Sequence, residues 1–428
     1  MNKKTITALS SVLAFAMLAC SCSQKQEETS AGEETTTSAP TVETTIKTKY
    51  NVFSSPDNSY SLIADGYGTP IRNQDVGACF ANATATAMES NFMKTYGRQL
   101  TINQDQIIYE AYGTQNDEDP DREGMHYRDI PDIKEGKWAL MSGTVAANGL
   151  VDGCVLTSCW DLTGKPAEEI QEVIRDKGGV VFGISEGKTR TDVHEGYVTL
   201  NTDNEICDHM LVVVGWDDGF PSDYFTFPAT NNGAWYAQNS FSKYWGNNGF
   251  YWISYDSYVS EITSMQVSEE YSHVESYDNG WGETITTGDK TTLANVYECT
   301  GTIGAVGTYL VEENSNLHVD IYEGRFGELL YSQDASFKYS GYDTIVLEQP
   351  VTVEGEFTVA ITYDGPAPVD GETRETGNNA YYLVIADKGQ SFVEVDGKWH
   401  DMTEKSVKKV LGTDFVPNNA CIKVLFKK

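Results

Sequence analysis

Positive charge is scarce in this chain. Its 428 residues carry 63 Asp and Glu against 30 Lys and Arg, a formal net charge of −33. A partner built of phosphates needs a cationic surface, so nucleic acid is excluded. The acidic excess marks no function of its own, since a solvated acidic surface serves solubility. Long apolar runs are also missing. No stretch reaches the roughly 18 apolar residues that a spanning helix needs, so no transmembrane helix is expected. Metal-ligand patterns are absent too. There is no CxxC or HxxxH spacing, which excludes the common zinc sites. The acidic loop Asp117-Glu118-Asp119-Pro120-Asp121 lacks calcium-loop spacing and reads as solvated. No metal and no cofactor are expected. Histidine is rare: His126, His194, His209, His273, His318 and His400 are all there are, so few residues are candidates for a neutral-pH base.

What is present suffices for cores. Hydrophobic residues make up 40% of the chain, and its length points to two domains. Lys3 and Lys4 precede an apolar run from Ile6 to Leu18, which ends at Met17-Leu18-Ala19-Cys20. Small and apolar residues before a Cys resemble a lipoprotein signal. The resemblance implies removal of residues 1–19, a lipid on Cys20, and membrane contact through that lipid alone. An ordinary secretory signal would equally export the chain, so a lipid-anchored surface protein or a secreted one is expected. Residues 20–48 are rich in Thr, Glu and Ser and are expected to form a flexible stalk.

Hydrophobic patterning starts near Tyr50 and runs to about Tyr258; a second pattern begins near Val274. The expected domains are 49–270 and 271–428. The first mixes helix and strand signals. Ala81–Tyr96 is free of Gly and Pro and stops at Gly97, which predicts a helix. Ala167–Asp176 predicts another, before Gly178-Gly179 and apolar strands at Val180–Ile184 and Leu211–Val214. That mixture is α+β. The second half alternates with period two, as in Leu317, Val319 and Ile321 or Phe357, Val359 and Ile361, and Asp396-Gly397 reads as a hairpin turn. An all-β sandwich is expected there.

The chemistry begins at Gln74-Asp75-Val76-Gly77-Ala78-Cys79-Phe80. Cys79 sits where a loop feeds the Ala81–Tyr96 helix, and the positive end of a helix dipole favours a thiolate. Gln74, five positions upstream, is placed to share an oxyanion hole with the Cys79 N–H. A buried structural Cys would look the same locally, so the decision rests on the remaining blocks. His209 opens the apolar strand in Cys207-Asp208-His209-Met210-Leu211-Val212-Val213-Val214, and Asn239 follows in Gln238-Asn239-Ser240-Phe241-Ser242-Lys243-Tyr244-Trp245-Gly246.

These blocks together resemble the papain family of cysteine peptidases over Ala64 to about Tyr255, in the order Gln, Cys, His, Asn. His209 and Asn239 lie about 130 and about 160 residues after Cys79, near the family's spacing. The resemblance implies a two-lobed peptidase fold. It assigns Cys79 as nucleophile, His209 as general base and acid, Asn239 as the residue orienting the imidazole, Gln74 as oxyanion-hole donor, and Trp245 as a shield for the His–Asn pair. Departures from the family are Phe80 and Phe241 where Trp is usual, Val76 in place of a Cys, and a loop from Gln74 to Cys79 one residue short. The shortened loop bears most on the aim of Gln74. The family's paired cleft glycines have no clear match; Gly136-Lys137 or Ser142-Gly143 are the options. Residues 21–48 are too short and polar to act as the family's inhibitory propeptide.

Beyond it, Ala294-Asn295-Val296-Tyr297, Ile303–Tyr309, Gly341-Tyr342 and Asn419–Val424 resemble the lectin-like β-sandwich appended to some papain-like peptidases. That implies a carbohydrate or cell-surface ligand, for which Tyr339, Tyr342, Tyr381, Tyr382 and Trp399 are stacking candidates; core filling or packing on the neighbouring domain is the alternative. Cys299 and Cys421 are read onto the first and last strands of the sandwich, as a disulfide or as two thiols. Cys154, Cys159 and Cys207 admit several pairings. The expected function is a surface-anchored cysteine endopeptidase acting on polypeptide substrates. The alternative is a surface adhesin or glycan-binding protein with an inactive papain-like fold.

Overall fold

The computed structural model describes residues 55, 57–74, 77–107, 150–186, 191–194, 196–372, 374–375, 381–382 and 384–428. The signal and stalk, Asp75, Val76, the acidic loop at Asp117–Asp121, His126 and both candidate glycine pairs lie outside the described residues, as do the side chains of His194, Tyr381 and Tyr382.

The first half is organised around one buried helix. Helix α1 spans Cys79–Tyr96, and every residue from Cys79 to Phe92 is buried. Alternating alanines (Ala81, Ala83, Ala85 and Ala87) let the sheet approach its backbone closely. Gly97 ends α1 in the left-handed region at φ 66°, a conformation open to glycine at no steric cost. A second helix, α2 (Ala167–Lys177), is amphipathic and buries Ile170, Val173 and Ile174. Both helices fall where composition and the following glycines place them.

The longer strands of this half are β1 (Ser59–Ser61), β2 (Cys154–Asp161), β3 (Val180–Ile184), β4 (Thr191–His194), β5 (Tyr197–Leu200), β6 (His209–Asp217), β7 (Ala234–Gln238), β8 (Phe250–Ser254) and β9 (Val259–Ser268). They run in the order β2-β9-β3-β6-β7-β8-β5-β4, with β1 on β6. Helix α1 packs on β6 and β9. The patterning that fades near Tyr258 stops one strand early. β9 lies between β2 and β3, so a piece ending at Tyr258 lacks a central strand.

The second half contributes β10 (Tyr271–Ser276), β11 (Thr291–Glu298), β12 (Gly301–Leu310), β13 (Ser315–Glu323), β14 (Leu329–Phe337), β15 (Gly341–Val353), β16 (Glu356–Tyr363), β17 (Ser391–Val395), β18 (Lys398–Asp401) and β19 (Ile422–Lys427). One layer is β14-β13-β16-β11-β17-β18; the facing layer is β10-β19-β12-β15. Leu317, Val319, Ile321, Phe357, Val359 and Ile361 fill the space between the layers, as their period-two alternation requires. Asp396 and Gly397 both adopt positive φ in the β17–β18 hairpin. All six cysteines among the described residues are free thiols. Cys299 follows β11 and Cys421 precedes β19, and those strands belong to different layers. Tyr271–Ser276, not the strand near Cys299, is the first strand of this half.

The two halves share a sheet. β15 pairs with β2 through Gly341↔Trp160 and Tyr342↔Cys159. Gly341 has φ 104°, and a Cβ there would stand 2.3 Å from the Cys159 carbonyl oxygen, so no other residue fits the crossing. Asp343 accepts from Ser158 Oγ and Trp160 Nε1, both at 2.7 Å. Lys338 pairs with Glu169 at 2.7 Å, and Lys165 with Glu313 at 2.5 Å. Tyr339 packs on Trp160 at 4.9 Å between centroids. Tyr339 and Tyr342 therefore face the neighbouring half. Trp399 stacks on Phe326.

Candidate active site

Four chain segments meet at one end of β6. The first is the start of α1. Ala78 at its N-cap supplies no side-chain acceptor, and the first turn carries no acidic residue. The N–H groups and dipole there act on Cys79 without a competing carboxylate in that turn. The second segment is β6, which begins at His209. The Met210 N–H donates to Cys79 Sγ at 3.4 Å, so the thiol lies against the residue after His209.

The third segment follows β7. Asn239 Oδ1 is 2.8 Å from His209 Nε2 and also accepts from the Ser240 N–H at 2.7 Å. An amide oxygen so engaged takes a proton from Nε2, which leaves Nδ1 as the imidazole's acceptor. His209 and Asn239 are buried at 1% and 2% exposure, where a hydrogen bond is less weakened by water. The Phe241 ring lies 4.7 Å from the imidazole. Trp245, expected as the shield, packs edge-on against Phe241 at 5.5 Å and against Tyr251 at 5.0 Å. It stands behind the ring that covers His209.

The fourth segment carries Gln74. Its N–H donates to the Ser240 carbonyl at 2.7 Å, and the Ser242 N–H donates to the Arg72 carbonyl at 3.0 Å. Asn73 bridges Phe241. Ser240 Oγ donates to Gln74 Oε1 at 2.6 Å, which turns the amide so that Nε2 is its other end. Arg72 is tied to Glu89 of α1 at 2.5 Å. The short loop to Cys79 therefore does not alone determine the aim of Gln74. The Ser240–Ser242 segment beside Gln74 also holds it.

Two residues at this site were not read from the sequence. Ser240 has no distinguishing signal within the Asn239 stretch, yet it holds Gln74 by both backbone and side chain. Glu186, two residues beyond β3, has Oε1 3.1 Å from Asn239 Nδ2 and Oε2 3.6 Å from His209 Nε2. No local pattern marks it; only the pairing of β3 with β6, Ile184↔His209, brings it there.

Three thiols away from this site are held protonated by their surroundings. Burial pushes Cys154 up to about 12 and Cys299 up to about 11, with the nearby carboxylates Asp152 and Glu275 adding to the rise. Cys421 is pushed well above the usual thiol range by burial. These thiols stay protonated and inert near neutral pH.

This architecture is that of a papain-like protease domain followed by a lectin-like all-β domain, and sequence comparison agrees. Residues 152–270 match the model of the papain family cysteine proteases, and residues 275–425 match that of the lectin-like domain. The chain thus carries a papain-family cysteine protease domain with a lectin-like domain behind it. The matched protease stretch holds His209 and Asn239; Cys79 and Gln74 come from the chain before it. Among solved structures, the chain is similar to the clostridial cysteine protease Cwp84 after propeptide cleavage, at 18% identity and TM-score 0.69, covering 86% of this chain and 99% of that one. It is equally similar to the cysteine protease and lectin-like domains of Cwp84, a surface layer associated protein of Clostridium difficile, at 18% identity and TM-score 0.69, covering 86% and 88%. At that identity the likeness concerns the fold.

Proposed function

We propose that this chain is an exported cysteine endopeptidase that cleaves peptide bonds with Cys79, His209, Asn239 and Gln74. The Cys79 thiolate attacks the scissile carbonyl. The developing oxyanion takes hydrogen bonds from the Cys79 N–H and Gln74 Nε2. His209 gives its proton to the leaving amine, then activates the water that hydrolyses the thioester. Asn239 holds the imidazole in the tautomer these steps need. The observation that carries this reading is the convergence of Cys79 at a helix start with the 2.8 Å His209–Asn239 pair.

The division into 49–270 and 271–428, the lipid on Cys20 and a surface location belong to the same proposal. The likeness to Cwp84, a surface layer associated protein, supports the location. The lectin-like domain then supplies contact with a carbohydrate or another cell-surface ligand. The test is alkylation and turnover together. Cys79 should react with iodoacetamide near pH 6 faster than free cysteine, whose thiolate is scarce there. Cys79→Ala should abolish peptide cleavage. His209→Ala should lose nearly as much, because groups acting as a unit are not additive. Slow alkylation at pH 6 together with no cleavage across a peptide library would replace the enzyme with a surface-binding protein on an inactive fold.

A further inference from the structure

We infer that Glu186 is a positioning residue of the active site, fixing the Asn239 amide and supporting the positive charge that His209 carries during the reaction. The inference rests on the roles proposed above for Cys79, His209 and Asn239.

The backbone delivers Glu186 to this place. β3 and β6 are in register at Ile184↔His209. The chain leaving β3 is then pinned twice, by the Asp208 N–H to the Ile184 carbonyl at 3.0 Å and by the Glu186 N–H to Asp208 Oδ1 at 2.7 Å. The Glu186 side chain is 12% exposed, so water weakens its field little.

The chemistry follows from what a carboxylate can do. An ionised carboxylate only accepts hydrogen bonds. With Glu186 Oε1 at 3.1 Å, the Asn239 group facing it must be the NH₂. A flipped amide would set oxygen against oxygen there and NH₂ against the Ser240 N–H. Glu186 and the Ser240 N–H together therefore dictate that Asn239 Oδ1 faces His209 Nε2. That in turn sets the His209 tautomer and leaves Nδ1 for the Cys79 proton. When the imidazole gains that proton, the Glu186 carboxylate 3.6 Å from Nε2 favours the cation.

Among the described residues, the other titratable groups around this cluster are Cys79 from α1, Cys207 and Asp208 ahead of β6, and Tyr251 from β8. Burial raises Tyr251 well above the usual phenol range, and Glu186 and Asp208 add to the rise. Tyr251 thus stays neutral where a peptidase works.

The experiment measures kcat/KM against pH for the full chain, with Cys79 alkylation by iodoacetamide as a second profile that needs no turnover. Glu186→Gln is nearly isosteric and can still accept from Asn239, but it lacks the charge. It should lower the alkaline limb of kcat/KM by about one pH unit and slow Cys79 alkylation at pH 6, where the thiolate depends on the imidazolium beside it, with kcat at the optimum within about threefold of wild type. Glu186→Ala should show the same shift and lose about tenfold in kcat. Glu186→Asp should restore much of the limb. Gln and Ala variants whose profiles superimpose on wild type would overturn the inference. The wild-type chain separates this failure from that of the underlying reading: ordinary thiol behaviour of Cys79 before any substitution removes the Cys–His pair itself, whereas rapid alkylation at pH 6 with no limb shift in the variants removes only the role of Glu186.

Discussion

Ser240→Ala tests how the oxyanion site is aimed. The substitution deletes one hydroxyl at a position 6% exposed and leaves the backbone bond from the Gln74 N–H to the Ser240 carbonyl in place. What disappears is the 2.6 Å bond to Gln74 Oε1. A neutral hydrogen bond of this kind contributes about 0.5–1.5 kcal/mol net. Once it is gone, the Gln74 amide spends that much more of its time turned away from the oxyanion. The expected loss in kcat is roughly 2- to 13-fold, with KM nearly unchanged, because the interaction matters most in the transition state. Gln74→Ala removes the donor itself and should cost roughly 10²–10³ in kcat. In the double variant the Ser240 effect should vanish, since no amide remains to be aimed. Steady-state kinetics on a fluorogenic peptide gives all three numbers. A Ser240→Ala loss that persists in full in the Gln74→Ala background would refute the clamp, because Ser240 would then act on something other than Gln74.

Three further outcomes follow from the same structure. Gly341→Ala sets a Cβ 2.3 Å from the Cys159 carbonyl oxygen at φ 104°; it should destabilise the chain by about 2–4 kcal/mol and split thermal unfolding into two transitions, and an unchanged single transition would show that the β15–β2 pairing does not couple the halves. Burial pushes Glu261 up to about 7 from its ordinary 4.5, and its Oε1 is buried with no hydrogen-bond partner among the described residues. A carboxyl raised in the folded state costs nothing below pH 4.5, and then subtracts stability as pH climbs to 7, by at most about 3 kcal/mol; Glu261→Gln should therefore raise the melting temperature at pH 8 and leave it alone at pH 4, and an equal effect at both would rule out the titration. Metabolic labelling with a fatty-acid analogue should mark the wild type and not Cys20→Ser; equal label in both would remove the lipid anchor.

Local chemistry was enough for much of the fold. The Gly-free run to Tyr96 and the glycine after it determined α1, because helix propensity and a left-handed cap act over a few residues. Alternation at Leu317–Ile321 and Phe357–Ile361 determined which faces meet in the sandwich, since side chains on a strand alternate by geometry alone. The order Gln74, Cys79, His209, Asn239 was legible because each residue type carries its own chemistry. Other features depended on contacts between distant segments. Patterning alone did not show that β9 completes the first sheet or that Gly341 threads β15 onto β2, because a hydrogen-bonded neighbour leaves no mark on a strand's own alternation. Nor did the spacing between Gln74 and Cys79 reveal where Gln74 points, since that is determined by Ser240, far along the chain. Glu186 is the clearest case. In sequence it is one carboxylate among 63 acidic residues, and it stands beside the imidazole only because the pairing of β3 with β6 puts Ile184 opposite His209.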